Sequence, residues 1–212
     1  MADPGDTITY TAADGDRVDE NISAVDEIEI EYVDASAGGG DDRGFGGRVE
    51  DAVADVSDFD TLYIWVSDGN SGRYSASGSI SLPGGNTVGR GGGSSEVSVS
   101  PDEGSDTDDA PFIVGSAGGG GGDTGGGNDG ARTEDQDHVP PPLGGEGAED
   151  GDAQAGDGEG SVSGHGSDVP IISDGTTITG GGSTTGEGEI RITYKEGQDP
   201  PEPPENLTAE LL

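Results

Sequence analysis

The stretch from Gly115 to Gly166 limits this chain more than any other. It holds Ser116-Ala117, five consecutive glycines from Gly118 to Gly122, then Asp123-Thr124 and Gly125 to Gly127. Glycine has no Cβ, so such a run builds no side-chain core, and it loses more backbone entropy on ordering than any other residue. Ordering costs about 1–2 kcal/mol per residue. The tract is therefore left disordered, or it is ordered by something outside itself. Its known ordered form is a three-fold extended helix of the polyproline-II type. Several such helices can lie side by side, and their N–H and C=O groups then bond between helices. Pro140-Pro141-Pro142 suits the same extended geometry. Val139, Leu143 and Val162 are the exceptions to its lack of large apolar side chains.

Elsewhere the chain has little with which to build a core. Only 27% of its residues are apolar and 4% aromatic, against about 45–50% apolar in an ordinary globular domain. Its 212 residues leave room for one domain and tails. A thin-cored domain is one reading, and a largely disordered acidic chain is the other.

Charge narrows the setting. Asp and Glu number 45 against 8 Lys plus Arg, a formal net charge of -37. Self-repulsion on that scale works against a compact chain in dilute buffer. Molar salt shortens the screening length to about 3 Å and removes most of the penalty. The carboxylates are spread over loops and strands rather than gathered into one acidic tail. That is the pattern expected of a salt-saturated cytoplasm, as in haloarchaea and their viruses. Phosphate neutralisation needs basic residues, so nucleic acid is not an expected partner. No apolar run of about 18–20 residues is present to span a membrane. Met1-Ala2-Asp3-Pro4-Gly5-Asp6 has neither a basic nor an apolar export region. There is no cysteine, hence no disulfide framework.

Strand patterns flank the tract on both sides. Thr7 to Thr11 alternates, and Ala13 to Asn21 reads as a polar connection. Glu27-Ile28-Glu29-Ile30-Glu31-Tyr32-Val33 places Ile28, Ile30 and Tyr32 on one face and three glutamates on the other. Arg48 to Ser57, with Val49, Val53 and Val56, reads as a strand. Thr61 to Val66 is apolar on both faces, as a central strand is, and Trp65 is assigned to the core. Ser77 to Leu82, Ser95 to Ser100, Phe112 to Val114, Asp168 to Ser173 and Gly188 to Tyr194 complete the set, the last with Ile190, Ile192 and Tyr194 on one face. Leu62 and Ile64 join the expected core. Pro200-Pro201-Glu202-Pro203-Pro204 is a stiff spacer. The end beyond it is either frayed or a docking peptide carried by Leu207 and Leu211. The expected division is a domain over 1–199, with a glycine-rich insertion at 115–166, and a proline-rich tail at 200–212.

The succession of motifs matters more than any one of them. Glu27 to Val33 runs through Asp34-Ala35-Ser36-Ala37 into Gly38-Gly39-Gly40. Then come Thr61-Leu62-Tyr63-Ile64-Trp65-Val66, Gly91-Gly92-Gly93-Ser94-Ser95, Phe112-Ile113-Val114-Gly115-Ser116-Ala117 with its glycine run, and Gly186-Glu187-Gly188-Glu189-Ile190-Arg191-Ile192-Thr193-Tyr194. From about Thr7 to Lys195 this resembles the glycine-rich domain family of some receptor ectodomains, such as anaplastic lymphoma kinase, and of bacterial, archaeal and phage surface proteins. The resemblance implies an all-β, jelly-roll-like sandwich similar to tumour necrosis factor, with polyglycine-II helices as an insert. It also implies homo-oligomers, trimers or pentamers. Between Thr133 and Ser167 the pattern departs, because Glu134-Asp135-Gln136-Asp137 and Glu149-Asp150-Gly151-Asp152 break the glycine runs.

Residues for catalysis are sparse. The two histidines, His138 and His165, both lie in the tract, and Gly160-Ser161-Val162-Ser163-Gly164 does not place a serine where a nucleophile elbow needs it. Oxygen ligands for Ca, Mg, Na or K are plentiful. Asp14 with Asp16, Asp41 with Asp42, Asp108 with Asp109, and Asp150 with Asp152 are the candidates, but none follows calcium-loop spacing. No cofactor is expected.

The function expected from these features is structural. It is that of a surface component of a haloarchaeal virus particle, a tail fibre, turret or capsid decoration, without enzymatic activity. Its expected partners are other virion proteins and a host-surface receptor or glycan. A haloarchaeal cell-surface adhesion protein and a jelly-roll enzyme acting on carbohydrate are the alternatives.

Overall fold

A computed structural model describes residues 1–15, 17–38, 44–68, 92–99, 101, 114–116, 160–162, 170–173, 175–182 and 187–196. Along the chain the strands are β1 (Thr7–Thr11), β2 (Val18–Asn21), β3 (Glu27–Asp34), β4 (Arg48–Asp55), β5 (Thr61–Trp65), β6 (Ser95–Ser98), β7 (Val114–Ser116), β8 (Gly160–Val162), β9 (Ile171–Ser173), β10 (Thr176–Ile178) and β11 (Glu189–Lys195). One 3-10 turn covers Ala12–Asp14. Among the described residues there is no α-helix, and the described fold is all-β.

The strands form two antiparallel sheets. The first has the order β1-β11-β3-β4-β10, with β9 also paired to β4; the second has the order β2-β5-β6-β7-β8. Their facing sides share one apolar cluster. Tyr10, Ile28, Ile30, Val33, Val49, Ile190, Ile192 and Tyr194 come from the first sheet, and Leu62, Ile64, Val97 and Val114 from the second. Within the second sheet the described strands β5, β6, β7 and β8 are neighbours in chain order.

Strand β11 alternates without a break. Ile190, Ile192 and Tyr194 point inward, while Glu189, Arg191, Thr193 and Lys195 point outward. Strand β3 does not alternate throughout. Its register against β11 shifts by one residue, so that Ile192 faces Ile30, Arg191 faces Tyr32, and Glu31 is the extra residue of a bulge. Beyond the bulge the faces exchange. Val33 becomes the inward residue, and Tyr32 is half-buried on the outer face instead of joining Ile28 and Ile30 in the core. Strand β4 keeps its register with β3 but exchanges its faces at the same level, where Asp51 adopts a left-handed backbone with φ 59°. Gly175, between β9 and β10, lies against that kink at φ 68°, and a Cβ there would overlap the Glu50 carbonyl oxygen. The edge of this sheet is thus a broken strand that follows the kink in its neighbour.

Two further expectations change. Residues 18–21, read as a polar connection, form edge strand β2, paired with β5. Only Val18 there is apolar, so no alternation marked the strand. Gly115, Ser116 and Gly160–Val162, all within the expected insertion, belong to β7 and β8. Ser77 to Leu82, Phe112, Ile113 and the tail 200–212 lie outside the described residues.

One polar group bridges the sheets. Glu20 of β2 is 9% exposed, and its Oε2 accepts a hydrogen bond from the Tyr10 hydroxyl at 3.2 Å. That hydroxyl lies 2.6 Å from the hydroxyl of Tyr194. The Met1 ammonium stands 2.6 Å from Glu20 Oε1. Residues 1–6 then cross one end of the sandwich. Ala2 N donates to Asn21 O at 3.1 Å, and Gly5 N donates to Tyr194 O at 2.7 Å.

Candidate functional site

Four connections leave and re-enter the sandwich at its opposite end. Strands β3, β5, β7 and β10 run toward it, and β4, β6, β8 and β11 start from it. The four connections there hold six glycines in 35–47, nine in 66–94, fifteen in 117–159 and five in 179–188, together 35 of the chain's 44.

The described parts of these connections lie side by side, backbone against backbone. Ala35 N donates to Gly47 O at 3.1 Å, Ser36 N to Gly93 O at 3.3 Å, Gly182 N to Gly46 O at 2.9 Å, and Gly188 N to Ser67 O at 2.9 Å. A bridge between Asp68 and Glu187 joins the two sheets at this end. The approach is too close for side chains. A Cβ on Gly92 would overlap the carbonyl oxygens of Ser36 and Ala37, and one on Gly188 would overlap Asp34 O and the hydroxyls of Ser67 and Ser95.

Buried serines supply the remaining hydrogen bonds. Ser36, Ser67, Ser94, Ser95 and Ser98 are all at 0% exposure. The Ser36 hydroxyl donates to Gly93 O at 3.1 Å and accepts from Gly93 N at 2.7 Å. Ser67 N donates to Ser95 Oγ at 3.1 Å, and the two hydroxyls lie 3.0 Å apart. A serine is short enough to bond a neighbouring backbone without separating the chains. Chemically this is a scaffold of satisfied peptide groups. Ser67 and Ser95 face one another, and no histidine is among the described residues.

A charged cluster borders the layer on the outer face of the first sheet. Asp34, the last residue of β3, is 8% exposed. Its Oδ2 accepts from Arg48 at 3.0 Å, while its buried Oδ1 has no partner among the described residues. Arg48 also reaches Glu50 at 2.5 Å and stacks over the Tyr32 ring at 4.6 Å. The Tyr32 hydroxyl donates to Glu189. Desolvation pushes the Asp34 carboxyl up to about 6, against the pull of Arg48 and with help from Glu189 and Glu50. Burial and the bond to Glu189 push Tyr32 up to about 12. Farther along the face, Arg191 meets Glu31 at 2.7 Å and Lys195 meets Glu29 at 2.5 Å. The scarce cations are thus spent separating rows of carboxylates.

The residues singled out from sequence fall in different places. Ile28, Ile30, Leu62, Ile64, Ile190, Ile192 and Tyr194 are at 0% exposure within the common cluster. Trp65 is 2% exposed but stands outside that cluster. It alternates with Ile64 and so occupies the other face of the second sheet, beside Tyr63 at 6.3 Å between ring centroids, with the Arg17 guanidinium 5.9 Å from its ring. Glu96, paired with Trp65 in the ladder, is buried on that same face. Asp14 caps the 3-10 turn, its carboxylate accepting from Thr11 N at 2.8 Å. Asp16, Asp41, Asp42, Asp108, Asp109, Asp150, Asp152, Leu207 and Leu211 lie outside the described residues. Among the described residues no group of three acidic or histidine side chains is placed to hold a metal ion, and no helix is long and apolar enough to cross a membrane.

The serine layer was not singled out from sequence, although Gly91-Gly92-Gly93-Ser94-Ser95 carried its signal: small residues in a run that ends in a strand. Comparison of the chain with protein-family models, curated proteins and solved structures gives no match.

Proposed function

We propose that this chain is a structural protein of a haloarchaeal virus particle, a surface component such as a tail fibre, turret or capsid decoration. In this reading its glycine-rich end faces outward and meets the host surface. The observation that carries it is that four connections, holding 35 glycines by sequence, leave and re-enter the fold at one end, where the described backbones bond to one another. Such an end is a rigid platform for extended glycine helices, which is the arrangement implied by the resemblance to the glycine-rich surface family. The net charge of -37 supports a molecule kept soluble in brine. The two antiparallel sheets support a β-sandwich, and the jelly-roll form of it belongs to this reading through the same resemblance.

Adsorption competition tests this. Protein refolded in molar salt is added to susceptible haloarchaeal cells before virus. Blocked adsorption supports host attachment by this chain. Unblocked adsorption by a well-folded protein moves the role to scaffold or decoration. Absence of the chain from purified particles removes the virion reading altogether.

A further inference from the structure

We propose that Asp34 and Glu189 form a binding site for one monovalent metal ion, sodium or potassium, between β3 and β11 at the border of the glycine-rich end. This goes beyond the surface role and does not depend on it. The starting observation is the Asp34 carboxylate. The residue is 8% exposed, and its Oδ1 is buried without a hydrogen-bond partner among the described residues. Buried charges are otherwise paired and hydrogen-bonded, or they hold a metal.

The neighbours of Asp34 supply too little positive charge. Arg48 on β4 donates to Oδ2 at 3.0 Å and is shared with Glu50. On the other side of β3, the ladder sets Glu189 of β11 directly opposite Asp34. Residues so opposed share a face, with Cβ atoms about 4.5–5.5 Å apart, and like charges there repel. The Tyr32 hydroxyl donates to Oε1 of Glu189, not to Asp34, and Glu189 Oε2 has no partner among the described residues. Arg191 is paired with Glu31. The charges that act on Asp34 are therefore Arg48 on one side and Glu189 with Glu50 on the other. Three carboxylates share one guanidinium. With Oδ2 committed to β4, Oδ1 is the oxygen left to the side of Glu189.

The occupant follows from these ligands. A proton does not stay on a carboxyl that titrates at about 6 once the solution is above neutrality. Water can donate to Oδ1, but it leaves the excess of negative charge in place. A divalent ion draws on several carboxylates at once, and among the described residues no group of three acidic side chains is placed to hold one. Two carboxylates suffice for a monovalent ion that keeps part of its water shell. Sodium is the size of calcium, whose oxygen ligands stand at about 2.3–2.6 Å, so one such ion fits between two opposed carboxylates. The affinity need not be high. In molar salt a site with a dissociation constant of about 0.1 M is about nine-tenths filled.

The test uses the full chain at constant molar ionic strength and about pH 8, above the Asp34 value of about 6. Tetramethylammonium chloride, whose cation is too large for the site, is replaced stepwise by sodium chloride or by potassium chloride. Side-chain carboxyl carbon-13 shifts are followed by nuclear magnetic resonance. Asp34 and Glu189 should move along one saturating curve with a common midpoint, while exposed Asp58 and Asp60 drift linearly. Saturation in either salt supports the site, and the lower midpoint names the ion. Glu189→Gln should raise the Asp34 midpoint at least about threefold, because affinity follows ligand charge. Asp34→Asn should abolish the curve at Glu189, with near-ultraviolet circular dichroism of Trp65 confirming the fold. Linear drift at Asp34 in both salts, matching Asp58, would mean screening alone and overturns the proposal. So does a saturating curve at Glu189 that survives Asp34→Asn. The first comparison is read on the unaltered chain, so it decides the matter even where a variant does not fold.

Discussion

The hydroxyls of Tyr10 and Tyr194 meet 2.6 Å apart between the sheets, and only the Tyr10 hydroxyl also reaches Glu20. One is on edge strand β1 and the other on β11, so the pair ties the sheet edge to its neighbour and to β2 across the core. Removing one hydroxyl is not equivalent to removing the other. Tyr10→Phe leaves the buried Glu20 short of a donor, which costs about 1–3 kcal/mol; Tyr194→Phe removes a single neutral hydrogen bond, about 0.5–1.5 kcal/mol. Denaturant unfolding in molar salt separates the two. Equal losses would mean that Glu20 draws nothing from Tyr10.

The same pair sets an alkaline limit. Desolvation is the largest cause holding both tyrosines above the ordinary phenol range. An acid whose proton is held more tightly in the folded state stabilises that state below its unfolded pKa, and the contribution is lost as pH rises. Ultraviolet titration should therefore show these tyrosines ionising together with unfolding, above about pH 10. Smooth ionisation in a folded protein near pH 10 would contradict the buried pair.

Asp34 gives the fold a second pH dependence, with the same sign and a lower window. Its carboxyl titrates at about 6 in the fold and near 3.9 in an unfolded chain. Between those values the folded state keeps a proton that the unfolded state gives up. Stability from this residue is therefore present at about pH 4 and lost as pH rises through 6. Wild type should gain on Asp34→Asn as pH falls from 7 to 4.5 in constant molar salt, read by chemical unfolding at each pH. A difference independent of pH would show that Asp34 does not titrate in this range.

Much of the fold was legible in residues whose partners sit two places away. Ile190, Ile192 and Tyr194 alternate with polar residues, and the strand they define is β11. What was not legible depended on partners far along the chain. Tyr32 continues the period of Ile28 and Ile30, yet the bulge at Glu31 is a relation between β3 and β11 and turns Tyr32 outward. Trp65 is buried as its hydrophobicity suggests, but its alternation with Ile64 sets it on the other face from the shared cluster. β2 offered only Val18 as an apolar signal. Of the candidate site, the glycine runs were plain in the sequence. That the strands flanking them open onto one end required the order of the strands.

Salt should decide whether the sandwich holds. The outer face of the first sheet presents Glu27, Glu29, Glu31, Asp34, Glu50 and Glu189 against Arg48, Arg191 and Lys195. Lowering salt from about 3 M to about 0.1 M lengthens the screening distance from under 3 Å to about 10 Å, well beyond the spacing of adjacent strands. The near-ultraviolet signal of Trp65 should be lost over that range, and Glu29→Gln with Glu31→Gln should shift the midpoint to lower salt. An unchanged spectrum at 0.1 M would show that burial alone outweighs the repulsion.

The glycine end makes the sharpest demand on sequence. A Cβ at Gly92 would overlap the carbonyl oxygens of Ser36 and Ala37, and neither is a flexible side-chain tip that can swing away. Gly92→Ala must therefore displace the 35–38 segment from the 92–93 segment. That breaks the bonds of Ser36 N and the Ser36 hydroxyl to Gly93. The expected loss is about 1–3 kcal/mol, the range for forcing atoms into a filled interior. Ser23→Ala, on an exposed residue at the far end, serves as the control and should change stability by less than about 0.5 kcal/mol. Hydrogen exchange localises the damage, because the amides of Ser36 and Gly93 should lose protection while those of Ile28 and Ile192 keep theirs. Uniform loss across both sets would mean that the layer and the sandwich unfold as one unit. No loss at Gly93 would mean that the close backbone approach does not constrain the fold.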